Sequence, residues 1–112
     1  MKIVFSSHKL EKECNDDKLR VKRFGPRRAQ LIGRRLNGLE ACETLEVART
    51  LRGTRCHELK GDRAGQLSVD LDHPYRLLFT PADEPVPKKE DGGLDWGKVT
   101  AIMILGVENT HE

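Results

Sequence analysis

Aromatic residues, long apolar runs and cysteines are all scarce in this chain of 112 residues. Aromatic side chains make up 4% of the chain, so aliphatic side chains must fill most of a core. The longest apolar run, Ala101 to Leu105, has five residues, whereas a membrane-spanning helix needs roughly 18 or more. The start of the chain lacks the charged and apolar regions of a secretory signal, and we expect none. The length suits one domain, residues 1–112.

The three cysteines are Cys14, Cys42 and Cys56, and no two of them form a CxxC pair. An odd number of widely spaced cysteines is not typical of a disulfide framework or a zinc site. The sequence also has no GxxxxGK phosphate loop and no serine nucleophile elbow. We therefore expect free thiols, a cytoplasmic location, and neither a metal nor a cofactor.

Basic residues outnumber acidic ones in the first half of the chain but not in the second. Residues 1–56 carry 14 lysines and arginines against 7 acids, and residues 57–112 carry 6 against 11. The excess peaks in a stretch without any acid, namely Lys18, Arg20, Lys22, Arg23, Arg27, Arg28, Arg34 and Arg35. Such a stretch predicts a contact surface for RNA or the ribosome, and the alternative is a solvated helical face.

The first half of the chain predicts one strand followed by helices. Residues 2–6 are short and β-branched, which favours a strand. A helix is expected over residues 10–24, with an interruption at 15–17, where Asn and Asp favour turns and caps. Gly25-Pro26 separates it from a helix over residues 26–39. Spacings of 3, 4 and 3 place four apolar residues on one helix face: Ala29, Ile32, Leu36 and Leu39.

The second half predicts strands with short connections. We expect strands over residues 55–59, 67–71, 75–79 and 99–107, the second of them half-buried because apolar and polar residues alternate. Residues 81–97 contain several prolines and glycines and predict a surface excursion. The order of elements predicts an α+β fold, in which a mostly antiparallel sheet carries the helices on one face.

The residues from 55 to 63 concentrate His57, lysine, arginine and two acids in a strand and its exit turn. On residue chemistry alone we expect a basic binding module, with a histidine-and-cation site as the alternative. RNA cleavage by 2′-hydroxyl attack needs a proton acceptor, cations beside the phosphorane and a proton donor. Histidine can serve either proton role near neutral pH.

Residues 55–69, RCHELKGDRAGQLSV, and residues 75–79, YRLLF, together resemble the core of the HigB-type toxins. These plasmid maintenance killer proteins belong to the RelE/ParE superfamily. Their pattern is a strand ending in H-x-L-K-G, then a turn and a YRL-type strand. The resemblance extends to residues 1–5, the two helices and the closing strand at 100–107, and it omits the loop at 82–97.

This resemblance implies a RelE-like fold and the toxin of a type II toxin–antitoxin pair. Such toxins are cytoplasmic, cofactor-free endoribonucleases that cut mRNA on the ribosome. A tightly bound antitoxin, usually a helix-turn-helix protein, neutralises them. His57 would act in proton transfer or phosphate binding, and the basic residues would hold phosphate. By motif position, the implied catalytic residues are His57, Lys60, Arg63, Arg76 and His111.

The end of the chain departs from the Asp-Tyr-His triplet of the family, because Asn109 and Thr110 precede His111. Asn cannot transfer a proton as Asp does, and Thr cannot stack on a base. Three functions therefore stay open: a ribosome-dependent endoribonuclease, a ParE-like inhibitor of DNA gyrase, and a degenerate member that only binds its antitoxin. The sequence also leaves open a structural role for Arg76, as a buried partner of Asp62, Asp70 or Asp72.

Overall fold

A computed structural model describes residues 1–109 of the chain. One five-stranded sheet carries the helices on one face, which confirms the predicted α+β class. The strands are β1 Lys2–Phe5, β2 His57–Glu58, β3 Leu67–Asp70, β4 Tyr75–Pro81 and β5 Ala101–Asn109. The helices are α1 His8–Asn15, α2 Asp17–Phe24, α3 Pro26–Ala41 and α4 Leu45–Ala48. Within the described residues, no helix has the length and apolar character needed to cross a membrane.

The strands lie in the order β1-β5-β4-β3-β2. The first and last strands are parallel neighbours, and the other three pairs are antiparallel. Parallel strands need a long crossover connection, and here the helices and three further strands supply it. β4 therefore lies at the centre of the sheet. Its side chains point alternately to the helices and to the opposite face.

Two breaks divide the helical region before the second strand. Asp16 ends α1 through its backbone N–H, which donates to the Lys12 carbonyl. The Asp16 side chain begins α2 by accepting from the Leu19 N–H at 3.0 Å. The interruption predicted at residues 15–17 is therefore confirmed. At the second break Gly25 has a φ of +83°, a value that glycine adopts readily, and Pro26 opens α3.

The apolar stripe of α3 packs on the helix side of the sheet. Ala29, Ile32, Leu36 and Leu39 are buried, as their spacing predicts. The last three join Leu77, Phe79, Ile102 and Ile104 of the central strands in one cluster. Each such side chain contributes about 1.5–3 kcal/mol when it is fully buried, so this cluster holds the two layers together.

Three local predictions were wrong. β3 is buried on both faces, because Ser68 is as inaccessible as its apolar neighbours. β2 is shorter than the predicted strand, since Arg55 has a φ of +47° and breaks the extended chain. The loop at 81–97 is not only a surface excursion, because Leu94 and Trp96 belong to the core cluster.

Asp83 ties that loop to the start of β5. Its carboxylate accepts hydrogen bonds from the Thr100 N–H, the Thr100 hydroxyl and the Ala101 N–H, at 2.7 to 3.1 Å. Burial alone would raise the pKa of Asp83, but these hydrogen bonds outweigh it and lower the pKa. The loop is therefore held in place both by its buried apolar residues, Leu94 and Trp96, and by the hydrogen bonds of Asp83.

Arg28 of α3 holds the turn between β3 and β4 through Asp72. Its Nε and Nη2 donate to the two carboxylate oxygens at 2.9 and 3.1 Å. The same guanidinium lies 3.5 Å from the centre of the Tyr75 ring. The hydrogen bonds from Arg28 lower the pKa of Asp72.

We expect Asp72→Asn to lower the free energy of unfolding by about 1–2 kcal/mol at pH 7, because a charge-assisted pair is lost. The pKa of Asp72 is lower in the folded protein, so the stabilisation is present above the unfolded pKa, about 3.9. It disappears as the pH falls through the folded pKa. Urea unfolding of both proteins from neutral to acidic pH measures the effect.

Glu46→Gln is the matched control, since Glu46 forms an exposed ion pair with Arg49. This variant should lose less than about 0.5 kcal/mol. Equal losses in the two variants, or a loss for Asp72→Asn that persists at low pH, would contradict the role given to the Arg28–Asp72 pair.

Candidate active site

The sheet face opposite the helices, called here the open face, carries the candidate residues. Leu77 and Phe79 of β4 belong to the helix-side cluster. Successive side chains of a strand point to opposite faces, so Arg76 and Leu78 point to the open face. The register places His57 beside Ser68, and Ser68 beside Leu78. His57 and Arg76 therefore share the open face.

A small apolar patch anchors the segment after β2 on the open face. Leu59 and Leu78 are 4% and 1% exposed, and neither belongs to the helix-side cluster. The Leu59 N–H donates to the Gln66 carbonyl at 2.9 Å and closes the intervening chain into a tight loop. This loop carries two of the predicted catalytic residues, Lys60 and Arg63.

Five charged side chains cross the open face in a row, called here the charged row. In the strand register, Asp70 of β3 lies opposite Arg76 of β4, and Arg76 lies opposite Glu108 of β5. Arg55 extends the row at one end, with its Nε 3.4 Å from Asp70 Oδ2. Arg63 extends it at the other end and donates to both Glu108 oxygens, at 2.7 and 3.1 Å. The signs alternate along the row, and three arginines against two acids leave one net positive charge.

Arg76 is the most buried member of the charged row, with 8% of its surface exposed. Its Nε lies 3.5 Å from Asp70 Oδ1. Of the three acids that the sequence offered as partners, Asp70 is the one found beside it, so the buried ion pair is confirmed. Burial on the sheet surface restricts the rotamers that the Arg76 side chain can adopt.

Lys60 and Arg63 are held differently. The hydrogen bonds between Arg63 and Glu108 lower the pKa of Glu108 and raise the pKa of Arg63, so both groups stay charged at neutral pH. Lys60 is exposed and precedes the 3₁₀ turn Gly61–Arg63. Arg63 is therefore a fixed cation, whereas Lys60 is a compact charge on a flexible stem.

His57 has a defined tautomer. Its Nδ1 lies 3.0 Å from the carbonyl oxygen of Arg55. A carbonyl oxygen only accepts hydrogen bonds, so Nδ1 must carry the proton. In the neutral ring the basic lone pair is then on Nε2, which is the arrangement required of a proton acceptor.

The last candidate, His111, lies outside the described residues, as does Thr110. Asn109 is the final residue of β5 and is exposed. It faces Tyr75 across the β4–β5 pair. The role predicted for His111 stays a prediction.

The basic stretch of α2 and α3 separates into two groups. One group bonds within the protein: Arg20 to the Cys14 carbonyl, Arg28 to Asp72, and Arg35 to the carbonyls of Asp70 and Gly53. The other group is exposed and consists of Lys18, Lys22, Arg23, Arg27 and Arg34, of which Arg23 also forms an ion pair with Glu13 at 3.6 Å. The predicted RNA or ribosome contact rests on the exposed group, because the other guanidinium groups already have acceptors.

Sequence reasoning did not place Arg55 and Glu108 at the site. Arg55 supplies both the carbonyl that orients His57 and a guanidinium next to Asp70. Glu108 orients Arg63 from β5, on the same face of the sheet. The sequence did contain a signal for the Asp70–Arg76 pair at the centre of the row. The residues Asp72-His73-Pro74 favour a turn, and a hairpin around that turn sets Asp70 opposite Arg76.

The chain matches no protein-family model and no curated protein sequence. Its structure is similar to that of a YoeB/ParE toxin from Agrobacterium tumefaciens, with a TM-score of 0.55. The two sequences are 15% identical, and the match covers 99% of this chain and 100% of that chain. The fold is therefore that of a RelE/YoeB-type toxin over essentially the whole length.

Cys56, next to this site, and Cys14, in α1, are both poor nucleophiles. Burial raises the pKa of Cys56, the neighbour of His57, to about 12, and that of Cys14 to about 11. Within residues 1–109, no group of three His, Cys, Asp or Glu side chains is arranged to hold a metal ion. The arrangement can position a phosphate and move a proton through His57.

We expect the folded protein to resist alkylation by iodoacetamide at pH 8, because Cys14 and Cys42 are buried and because burial raises the pKa of all three thiols, including that of the partly exposed Cys56. In denaturant all three thiols should react rapidly. Mass spectrometry after timed quenching measures both rates. Rapid labelling of Cys56 in the folded protein would contradict this description of the site.

Proposed function

We propose that this protein is the toxin of a type II toxin–antitoxin pair and a ribosome-dependent endoribonuclease of the HigB type. Its substrate would be mRNA during translation in the cytoplasm, and no cofactor would be needed. A cognate antitoxin, expected to be a helix-turn-helix protein, would neutralise it. The observation that carries the proposal is the oriented imidazole of His57 on the same sheet face as the charged row.

Two independent likenesses support the proposal. The sequence resembles HigB-type toxins in the segment from His57 to Gln66 and in the YRL-type strand. The structure is similar to that of a YoeB/ParE toxin along the whole chain. A shared fold does not fix an activity, so the chemistry of the open face has to carry the choice of reaction.

The proposed reaction begins with proton removal. Nε2 of His57 takes the proton of a ribose 2′-hydroxyl, and O2′ then forms a bond to phosphorus. The bond between phosphorus and O5′ breaks, which leaves a 2′,3′-cyclic phosphate. The departing O5′ takes a proton, which we assign to Lys60, because an arginine does not give up its proton.

The arginines stabilise the charge that develops on the phosphorane. Arginines stay charged at any pH that the protein meets. Arg63 is held by two hydrogen bonds to Glu108, and Arg76 is buried beside Asp70. Cations fixed in advance need no reorganisation as the charge grows. The exposed basic residues of α2 and α3 would contact ribosomal RNA or mRNA backbone from another surface.

We expect induced expression in a bacterial host to arrest growth and to cut translated mRNA. His57→Ala should reduce cleavage by about 100-fold or more, because it removes the proton acceptor. Mapping of 5′ ends across the transcriptome, after a short induction, measures cleavage directly. His8→Ala is the matched control, since His8 is exposed at the start of α1 and far along the chain from the motif.

The same assay separates the other two functions. Growth arrest with intact mRNA would contradict the nuclease proposal, and gyrase supercoiling with purified protein would then test the ParE-like function. Harmless expression of a folded, soluble protein would favour a degenerate member that only binds its antitoxin. Equal cleavage by the His57→Ala and wild-type proteins would contradict the role given to His57.

A further inference from the structure

Arg55 has a strained backbone conformation that its ion pair is too weak to offset. Its φ is +47°, and it is the only non-glycine residue among residues 1–109 with a positive φ. A side chain other than glycine is strained there. The ion pair with Asp70 is mostly exposed, since 61% of the Arg55 side chain is accessible, and exposed pairs stabilise little.

This conformation gives Arg55 two simultaneous functions. Its carbonyl turns toward His57 and accepts from Nδ1. Its guanidinium turns toward the charged row and reaches Asp70. An extended residue would have continued β2 instead. The strained turn therefore links the orientation of the imidazole to the position of a cation on the open face.

Arg55 lines a cavity at the edge of the charged row. The cavity has a volume of about 200 Å³ and is shared with Arg76, Asp70, His73 and Tyr75. Arg76 belongs both to this cavity and to the proposed catalytic group, so the two are contiguous. Two arginines against one carboxylate leave a net positive charge, and the histidine adds a further hydrogen-bond donor.

We infer that this cavity is a phosphate subsite, which holds a backbone phosphate of the RNA next to the one that is cleaved. Arg55 is its ligand-binding residue, and Asp70 is a positioning residue that orients Arg55 and Arg76. The inference rests on the proposed function for the identity of the polymer. The net positive charge and the two arginines fit a nucleotide phosphate.

Arg55→Gly and Arg55→Asn test the subsite without disturbing the fold. Glycine and asparagine tolerate a positive φ, so both variants should keep the turn and melt at or above the wild-type temperature. Arg52→Gln is the matched control, because Arg52 is an exposed arginine three residues away that does not line the cavity. Circular dichroism melts establish that all four proteins are folded.

The probe is a fluorescein-labelled 2′-O-methyl RNA, which lacks the attacking hydroxyl and cannot be cut. Fluorescence anisotropy gives its Kd at several salt concentrations. We expect both Arg55 variants to weaken binding by about tenfold at low salt. They should also reduce the slope of log K against log salt by about 0.7, the value for one phosphate contact to a single strand. Arg52→Gln should leave both quantities unchanged.

Unchanged affinity and salt slope in the Arg55 variants would overturn the inference, as would the absence of RNA binding by the wild-type protein. An equal change in Arg52→Gln would also overturn it, because it would indicate general charge rather than a subsite. These outcomes are separate from the mRNA cleavage assay. Cleavage with unaltered binding in Arg55 variants would defeat the subsite alone, and RNA binding without cleavage would defeat the proposed nuclease alone.

Discussion

Asp70 is the residue on which the two layers and the open face all depend. Its carbonyl accepts from Arg35 Nε of α3 at 2.7 Å, and its N–H donates to the Thr54 carbonyl at 2.8 Å. Its carboxylate lies between Arg55 and Arg76. The backbone of one residue thus connects the helix layer to the sheet edge, while its side chain sets the position of two cations.

The charged row explains how a shallow surface can hold several arginines in place. Like charges on adjacent strands repel, and a carboxylate between each pair of arginines removes that repulsion. Asp70 and Glu108 each orient a neighbouring guanidinium, and one positive charge remains over the row. A surface of this kind can attract an RNA phosphate and yet stay stable when no RNA is bound.

Much of this fold could be predicted from the spacing of apolar residues and from the Gly, Pro, Asn and Asp residues that end helices and strands. The α3 stripe, the break at Asp16 and the succession of helices and strands along the chain followed from local rules, whereas the parallel pairing of β1 with β5 did not. The burial of Ser68 did not, because the alternation of apolar and polar residues along β3 predicted an exposed face there. Arg55 was missed because a strained φ leaves no mark in a single sequence. Glu108 was missed because its partner, Arg63, lies 45 residues away in the chain.

The central proposal is that the open face cuts RNA through attack by the 2′-hydroxyl. The most direct measurement is the chemistry of the fragment ends after purified protein acts on an mRNA in a reconstituted translation reaction. Mass spectrometry should find a 2′,3′-cyclic phosphate, or the 3′-phosphate it hydrolyses to, on the upstream fragment. The downstream fragment should begin with a 5′-hydroxyl. A 3′-hydroxyl facing a 5′-phosphate, or an intact mRNA, would contradict the account.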